Sequence, residues 1–178
     1  MMGLKFKDTH SSQYGLIVRS VDRNVLPPLK RREIEIPGKH GTYDFDGNVY
    51  EKRTISIEFG VVHYNFQDLR NKIRLIAAWL SGKGKLVFDD EPDKYYDAKI
   101  YQNVPLEQII SSGRFSVIFE CQPFALSEDI ENVATITSNN YNMIIENNGT
   151  IETPCIIELK NTGTSTITQI TITKKVEV

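Results

Sequence analysis

Apolar residues recur at every second position along most of this chain, and at every third or fourth in one stretch. In Arg53 to Tyr64, Ile55, Ile57, Phe59 and Val61 alternate with Thr54, Ser56, Glu58 and Gly60. A period of two puts the sets on opposite faces of a strand, one buried and one solvated, as in an antiparallel sheet. Shorter runs predict strands at Leu4 to Phe6, Tyr14 to Val21, Arg32 to Ile36, Thr42 to Phe45, Lys85 to Phe88, Tyr95 to Tyr101, Leu106 to Ile110 and Arg114 to Gln122. Pro27-Pro28 breaks the chain, Pro37 to Gly41 and Asp46-Gly47-Asn48 are turn chemistry, and Asp89 to Asp93 joins two strands.

Between Asn65 and Gly82 the period changes. Phe66, Leu69, Ile73, Ile76, Ala77 and Leu80 recur at steps of three and four, which lines one face of a helix. Asn65 is placed to cap the first turn, and the Asp68 carboxylate favours the exposed amides there. Ser81-Gly82 ends the helix, because glycine adopts the left-handed conformation of a C-terminal cap at little cost. The fold class predicted is therefore mainly β with one helix laid against the strands.

Past Pro123 the composition shifts. From Glu128 onward there is no Trp or Phe, and Thr, Asn and Ile dominate. Strands are expected at Val133 to Thr137, Asn142 to Glu146, Cys155 to Lys160 and Ile167 to Thr173, with turns at Asn147-Asn148-Gly149 and Asn161-Thr162-Gly163. The boundary falls near Ser127 to Asp129, giving domains 1–127 and 128–178. The second, about 50 residues long, is at the lower limit for an independent β domain.

The 178 residues are 40% apolar and 25% charged, with a formal net charge of -2. Those values fit an ordinary globular protein and give no global attraction to nucleic acid or anionic membrane. No apolar run approaches the roughly 18 residues that span a bilayer, and no secretory h-region is present, so synthesis and folding in a cytoplasm are expected.

Candidate chemistry is thin. Asp89, Asp90, Glu91, Asp93 and Asp97 form an acidic run, but Pro92 interrupts it and it lacks the glycine and the late glutamate of a calcium loop. Glu33, Glu35, Glu58 and Glu120 fit the outward faces of strands. His10, His40 and His63 are scattered, and Cys121 and Cys155 are too few for a thiolate metal site or a disulfide framework. Gly82-Lys83-Gly84-Lys85 follows a helix C-terminus, where the dipole repels phosphate. Lys30-Arg31-Arg32 lacks the interleaved aromatics of a nucleic-acid patch, and Trp79, Tyr95, Tyr96 and Tyr101 read as core or interface material. No catalytic residue, cofactor or metal site is assigned, and an enzyme is not expected. What remains is a set of strand edges that must be covered or paired, most simply with copies of the same chain.

Several stretches in a shared order carry a resemblance. They are Tyr14-Gly15-Leu16, Ile36-Pro37-Gly38-Lys39-His40-Gly41, Tyr50-Glu51-Lys52-Arg53-Thr54-Ile55, Trp79-Leu80 and Phe115 to Phe124. Most specific is Leu86-Val87-Phe88-Asp89-Asp90-Glu91-Pro92-Asp93-Lys94-Tyr95-Tyr96-Asp97-Ala98. Over residues 4 to 125 the chain resembles the distal tail protein family of long-tailed bacteriophages, found also as prophage tail components.

The resemblance implies a β-sandwich with one flanking α-helix and an extended β-hairpin, followed by a partial second β-rich domain related to a galectin-like sandwich. It also implies a structural role at the virion tail tip. There a ring, a hexamer in the family, joins the tail tube to baseplate or tail-fibre proteins and lets the genome pass without specific binding. Subunit contacts are then expected around Ile34, Ile36, His40, Tyr43, Ile55 and Ile57, although the turn Pro37 to Gly41 reads equally as a plain solvent loop. A carbohydrate-binding module for host-surface adhesion is the alternative, and the aromatic-poor C-terminal segment argues against the flat stacking platform it needs.

Overall fold

The computed structural model describes residues 3–175 apart from 46, 48, 64, 105–108, 110, 111, 139, 140 and 147. In chain order its elements are β1 (Leu4–Phe6), β2 (Thr9–His10), a 3-10 turn (Ser11–Tyr14), β3 (Leu16–Arg23), β4 (Glu33–Glu35) and β5 (Thr42–Asp44). Then come β6 (Arg53–Val61), α1 (Phe66–Leu80), β7 (Lys83–Phe88), β8 (Glu91–Ile100) and β9 (Arg114–Cys121). Among the described residues, seven strands form one antiparallel sheet in the order β2-β1-β7-β8-β9-β6-β3, and β4 and β5 pair with each other as a second, two-stranded sheet. The chain divides into two units, Met1–Ile130 and Glu131–Val178.

The alternation read from β6 holds from Thr54 to Phe59, with Ile55, Ile57 and Phe59 wholly buried, whereas Gly60, expected on the solvated face, is buried as well. They meet Phe119, Val117 and Phe115 across the β6–β9 ladder, because opposed residues of an antiparallel pair share a face. Each large side chain so buried contributes about 1.5–3 kcal/mol. The sheet is strongly curled. In a flat sheet β7 and β3, four steps apart, would be separated by roughly 19 Å. Instead the Arg23 guanidinium of β3 sits 4.4 Å from the Phe88 ring centroid of β7, and it ion-pairs with Asp90. Phe6 of β1 and Phe119 of β9 likewise meet at 5.3 Å. The concave side of this one sheet encloses the core.

Helix α1 closes that core. Asn65 Oδ1 accepts from the Asp68 amide at 2.8 Å, Ser81 N–H returns to the Ala77 carbonyl, and Gly82 stands at φ 79°. Leu69, Ile76, Trp79 and Leu80 are buried, whereas Ala77, expected on the apolar face, is exposed. Trp79 takes its place: its ring meets Phe6 and Phe59 edge-on, and its Nε1–H donates to the Phe6 carbonyl at 2.8 Å. Lys7 donates to the Ser81 carbonyl, which puts a cation at the negative end of the helix.

Several boundaries differ from expectation: β3 runs from Leu16 to Arg23, β6 ends at Val61, and β8 begins at Glu91. The β7–β8 turn contracts to Asp89-Asp90, since Phe88 already opposes Glu91 in the ladder. Pro92 is accommodated there because a register shift between Leu86 and Phe88 leaves a place without a ladder donor. Of the strand expected at Leu106 to Ile110, only Ile109 is described, and it is helical and buried. Asp46 and Asn48 of the second predicted turn lie outside the described residues.

In the unit Glu131–Val178 the four expected strands are not formed among the described residues, and all of those residues are exposed. The turn at Asn161 to Gly163 is formed, with Asn161 Oδ1 accepting from the Gly163 amide at 2.9 Å. A turn is built from its own residues, while a strand needs a second strand to satisfy its backbone. Ile144 and Ile156 are more than nine-tenths exposed, so the apolar alternation of this unit is uncovered.

Candidate subunit interface

Between β3 and β6 the chain leaves the sheet as a two-stranded arm. Pro27 and Pro28 carry no amide hydrogen and hold the departing backbone extended. The two legs pair at Leu29 and Tyr50, with Lys30 N–H to the Val49 carbonyl at 2.8 Å and Glu51 N–H to the Pro28 carbonyl at 2.7 Å. Further out β4 and β5 oppose Glu33 to Asp44, Ile34 to Tyr43 and Glu35 to Thr42. At the tip, Lys39 N–H closes on the Ile36 carbonyl at 3.0 Å, and Gly38 and Gly41 each take φ 83°, a conformation other residues adopt only at a cost.

This register sorts the side chains by chemistry. Ile34, Ile36, Tyr43 and Phe45 fall on one face, and Glu33, Glu35 and Asp44 on the other. Tyr43 and Phe45 rings lie 6.5 Å apart, and the Lys39 ammonium is 3.5 Å from the Tyr43 ring centroid. Every residue from 31 to 45 is exposed, Ile34 by 56% and Phe45 by 65%. A two-stranded ribbon alone is marginal in water, and this one presents a continuous apolar face to it.

Four of the six predicted contact residues are on this arm. Ile34, Ile36 and Tyr43 share its apolar face, and His40 is exposed at its tip. Ile55 and Ile57 require correction: both are 0% exposed, covered by β3 and β9 on either side and by the core beneath. A side chain with no exposure in the protomer offers nothing to a partner. Phe45, not among the six, lies on the same exposed face, a position that the step of two from Tyr43 signals.

The other candidate groups are engaged locally. Asp89 faces His10 Nε2 at 3.2 Å, Asp90 and Glu91 face Arg23, Asp97 pairs with Lys83 at 3.0 Å, and Asp93 with Lys94 at 2.9 Å. The Lys94 hydrogen bond holds the Asp93 carboxyl below its usual range. Glu120 bonds Lys52 at 2.6 Å and raises that ammonium's pKa. Burial pushes the Cys121 thiol up to about 12, while Cys155 is exposed. No group of three or more His, Cys, Asp or Glu placed to hold a metal occurs among the described residues, and no helix there is long and apolar enough to cross a membrane.

Residues 9–121 match the family model described as the phage tail protein RIFT-related domain. No curated protein sequence matches. Among solved structures, the chain is similar to the Dit protein of phage SPP1, presented as a paradigm of the hub adsorption apparatus in Gram-positive infecting phages. The TM-score is 0.60 at 17% identity, covering 71% of this chain and 52% of that one, so the chain spans about half the length of that protein. That likeness is one of fold. The family match covers most of the chain and every strand of the curled sheet except β1, with the arm inside it. This chain therefore belongs to the phage tail protein family defined by the RIFT-related domain, and it is a phage tail component.

Proposed function

We propose that the protein is a non-catalytic connector of the tail tip, a closed ring of identical subunits joining the tail tube to baseplate or tail-fibre proteins. The observation that carries this reading is the arm. It holds an apolar face clear of its own sheet, and a second copy of the chain is the partner that repeats around a ring. Burying Ile34, Ile36, Tyr43 and Phe45 would contribute on the order of 5 kcal/mol before the costs of association. An arm on one subunit that seats on a different surface of the next makes a head-to-tail contact, the kind that closes into rings. Six copies is the number expected, with the genome passing through the opening without specific contacts. The hub role of the SPP1 protein supports the same position in the virion.

Mass measurement of the purified chain in solution tests the proposal. The expected particle is a closed oligomer near six times the 20.3 kDa protomer, formed alone or on contact with tail partners. Monomer at every concentration, with no binding to tail-tube or baseplate proteins, would overturn it.

A further inference from the structure

The arm and the segment that leaves the unit Met1–Ile130 toward residue 131 share one anchorage. On the incoming leg, Val25 points its side chain into solvent, 98% exposed, while its carbonyl accepts from Arg53 Nη2 at 3.2 Å. On the outgoing leg, the Tyr50 ring stands edge-on to Phe124 at 5.1 Å. Arg53 is itself 7% exposed; among the described residues no carboxylate pairs with it and its Nε has no partner, while its Nη1 donates to Tyr96 Oη at 3.3 Å. A guanidinium stays charged at any accessible pH, so among the described residues this buried cation is held by the Val25 carbonyl of the arm and by the hydroxyl and ring of Tyr96 on β8.

The exit segment is fastened to the same place. Tyr95, beside Tyr96, exchanges both backbone hydrogen bonds with Leu126, each 2.8 Å. Gln122 N–H donates to the Asp97 carbonyl at 3.1 Å, and Glu128 accepts from Lys85 at 2.8 Å. Phe124 thus sits between two β8 attachments while its ring packs on the arm.

We infer that the arm and the segment 122–130 are conformationally coupled through Tyr50–Phe124 and the Arg53 clamp, so that a partner ordering the arm also orders the chain leading into residues 131–178. The coupling is a property of the protomer and does not depend on what covers the arm.

Site-resolved hydrogen exchange on the full chain tests it. Tyr50→Ala is expected to speed exchange of the Leu126 and Tyr95 amides on the order of tenfold, the worth of one ring pair and its burial. Phe124→Ala is expected to speed the Lys30 and Glu51 amides by a similar factor, because a coupling free energy is reciprocal. Ile57→Val, which weakens the core without touching the anchorage, should leave the ratio of arm to exit-segment rates as in the wild type. If Tyr50→Ala frees Lys30 and Glu51 while Leu126 and Tyr95 exchange at wild-type rates, the two regions are independent and the inference fails. Should the alanine variants not fold, Tyr50→Leu and Phe124→Leu keep apolar bulk without the ring pair and are read by the same two outcomes.

Discussion

Strand β6 and the arm begin from the same sequence pattern and end in opposite environments. Ile55 and Ile57 alternate with polar residues and are 0% exposed; Ile34 and Ile36 alternate with glutamates and are 56% and 45% exposed. The difference lies in their neighbours. β6 is laddered on both sides, to β3 and β9, and its apolar face lies in the curl of the sheet. The arm strands, among the described residues, pair with each other alone. Alternation states that one face of a strand is to be covered, but the covering element belongs to topology, or to another molecule.

Substitutions separate the two regions by size of effect. Phe119→Ala should cost about 3–5 kcal/mol and Ile57→Ala about 2–5 kcal/mol in urea unfolding of the protomer, since each leaves a cavity in a closed core. Ile34→Ala should stay within about 0.5 kcal/mol in the same measurement, because in the protomer its side chain is already in water. A large protomer cost for Ile34→Ala would show that the arm is folded back onto its own sheet. Removing the helix cap with Asn65→Ala should cost about 1 kcal/mol, between those extremes.

The smallest effects are chemical. In the native chain Cys155 should react with a thiol reagent and Cys121 should not, and both should react once the chain is unfolded. Burial raises Cys121 from 9.0 to about 12, so below 9.0 the thiol is neutral folded or unfolded and its contribution is fully present. Above 9.0 the unfolded chain ionises first, and stability is lost as pH rises toward 12. The stability difference between wild type and Cys121→Ala should narrow over that range. A difference independent of pH would mean that the thiol is open to water.

What could be read from the sequence follows the reach of each interaction. The ends of helix α1 were legible because their signals are local: Asn65 caps its own first turn and Ser81-Gly82 ends its last. The strands of the curled sheet were legible as strands, yet Ile57 and Phe119 carry the same alternation in a sandwich, in which two sheets face each other, as in one sheet curled on itself. Their opposition across β6 and β9, and the reach of Arg23 to Phe88, exist only in the assembled topology. For the candidate site, the alternation of Ile34 and Ile36 with glutamates predicts a strand with one apolar face, and the register places Tyr43 on that same exposed face. Ile55 and Ile57 were assigned to a partner for the same reason, since nothing in their spacing distinguishes a neighbouring subunit from β3 and β9. In residues 131–178 the Asn161 turn formed and the strands beside it did not, which is the same division between local and distant partners.

The most direct measurement compares the sedimentation of the wild-type chain with a variant carrying Ile34→Asp and Tyr43→Asp. The account predicts that the wild type sediments as a closed oligomer, that the variant sediments as a monomer, and that the urea midpoints of their protomers agree. A variant that assembles as the wild type does would contradict it, because the apolar face of the arm would then contribute nothing to the contact between subunits.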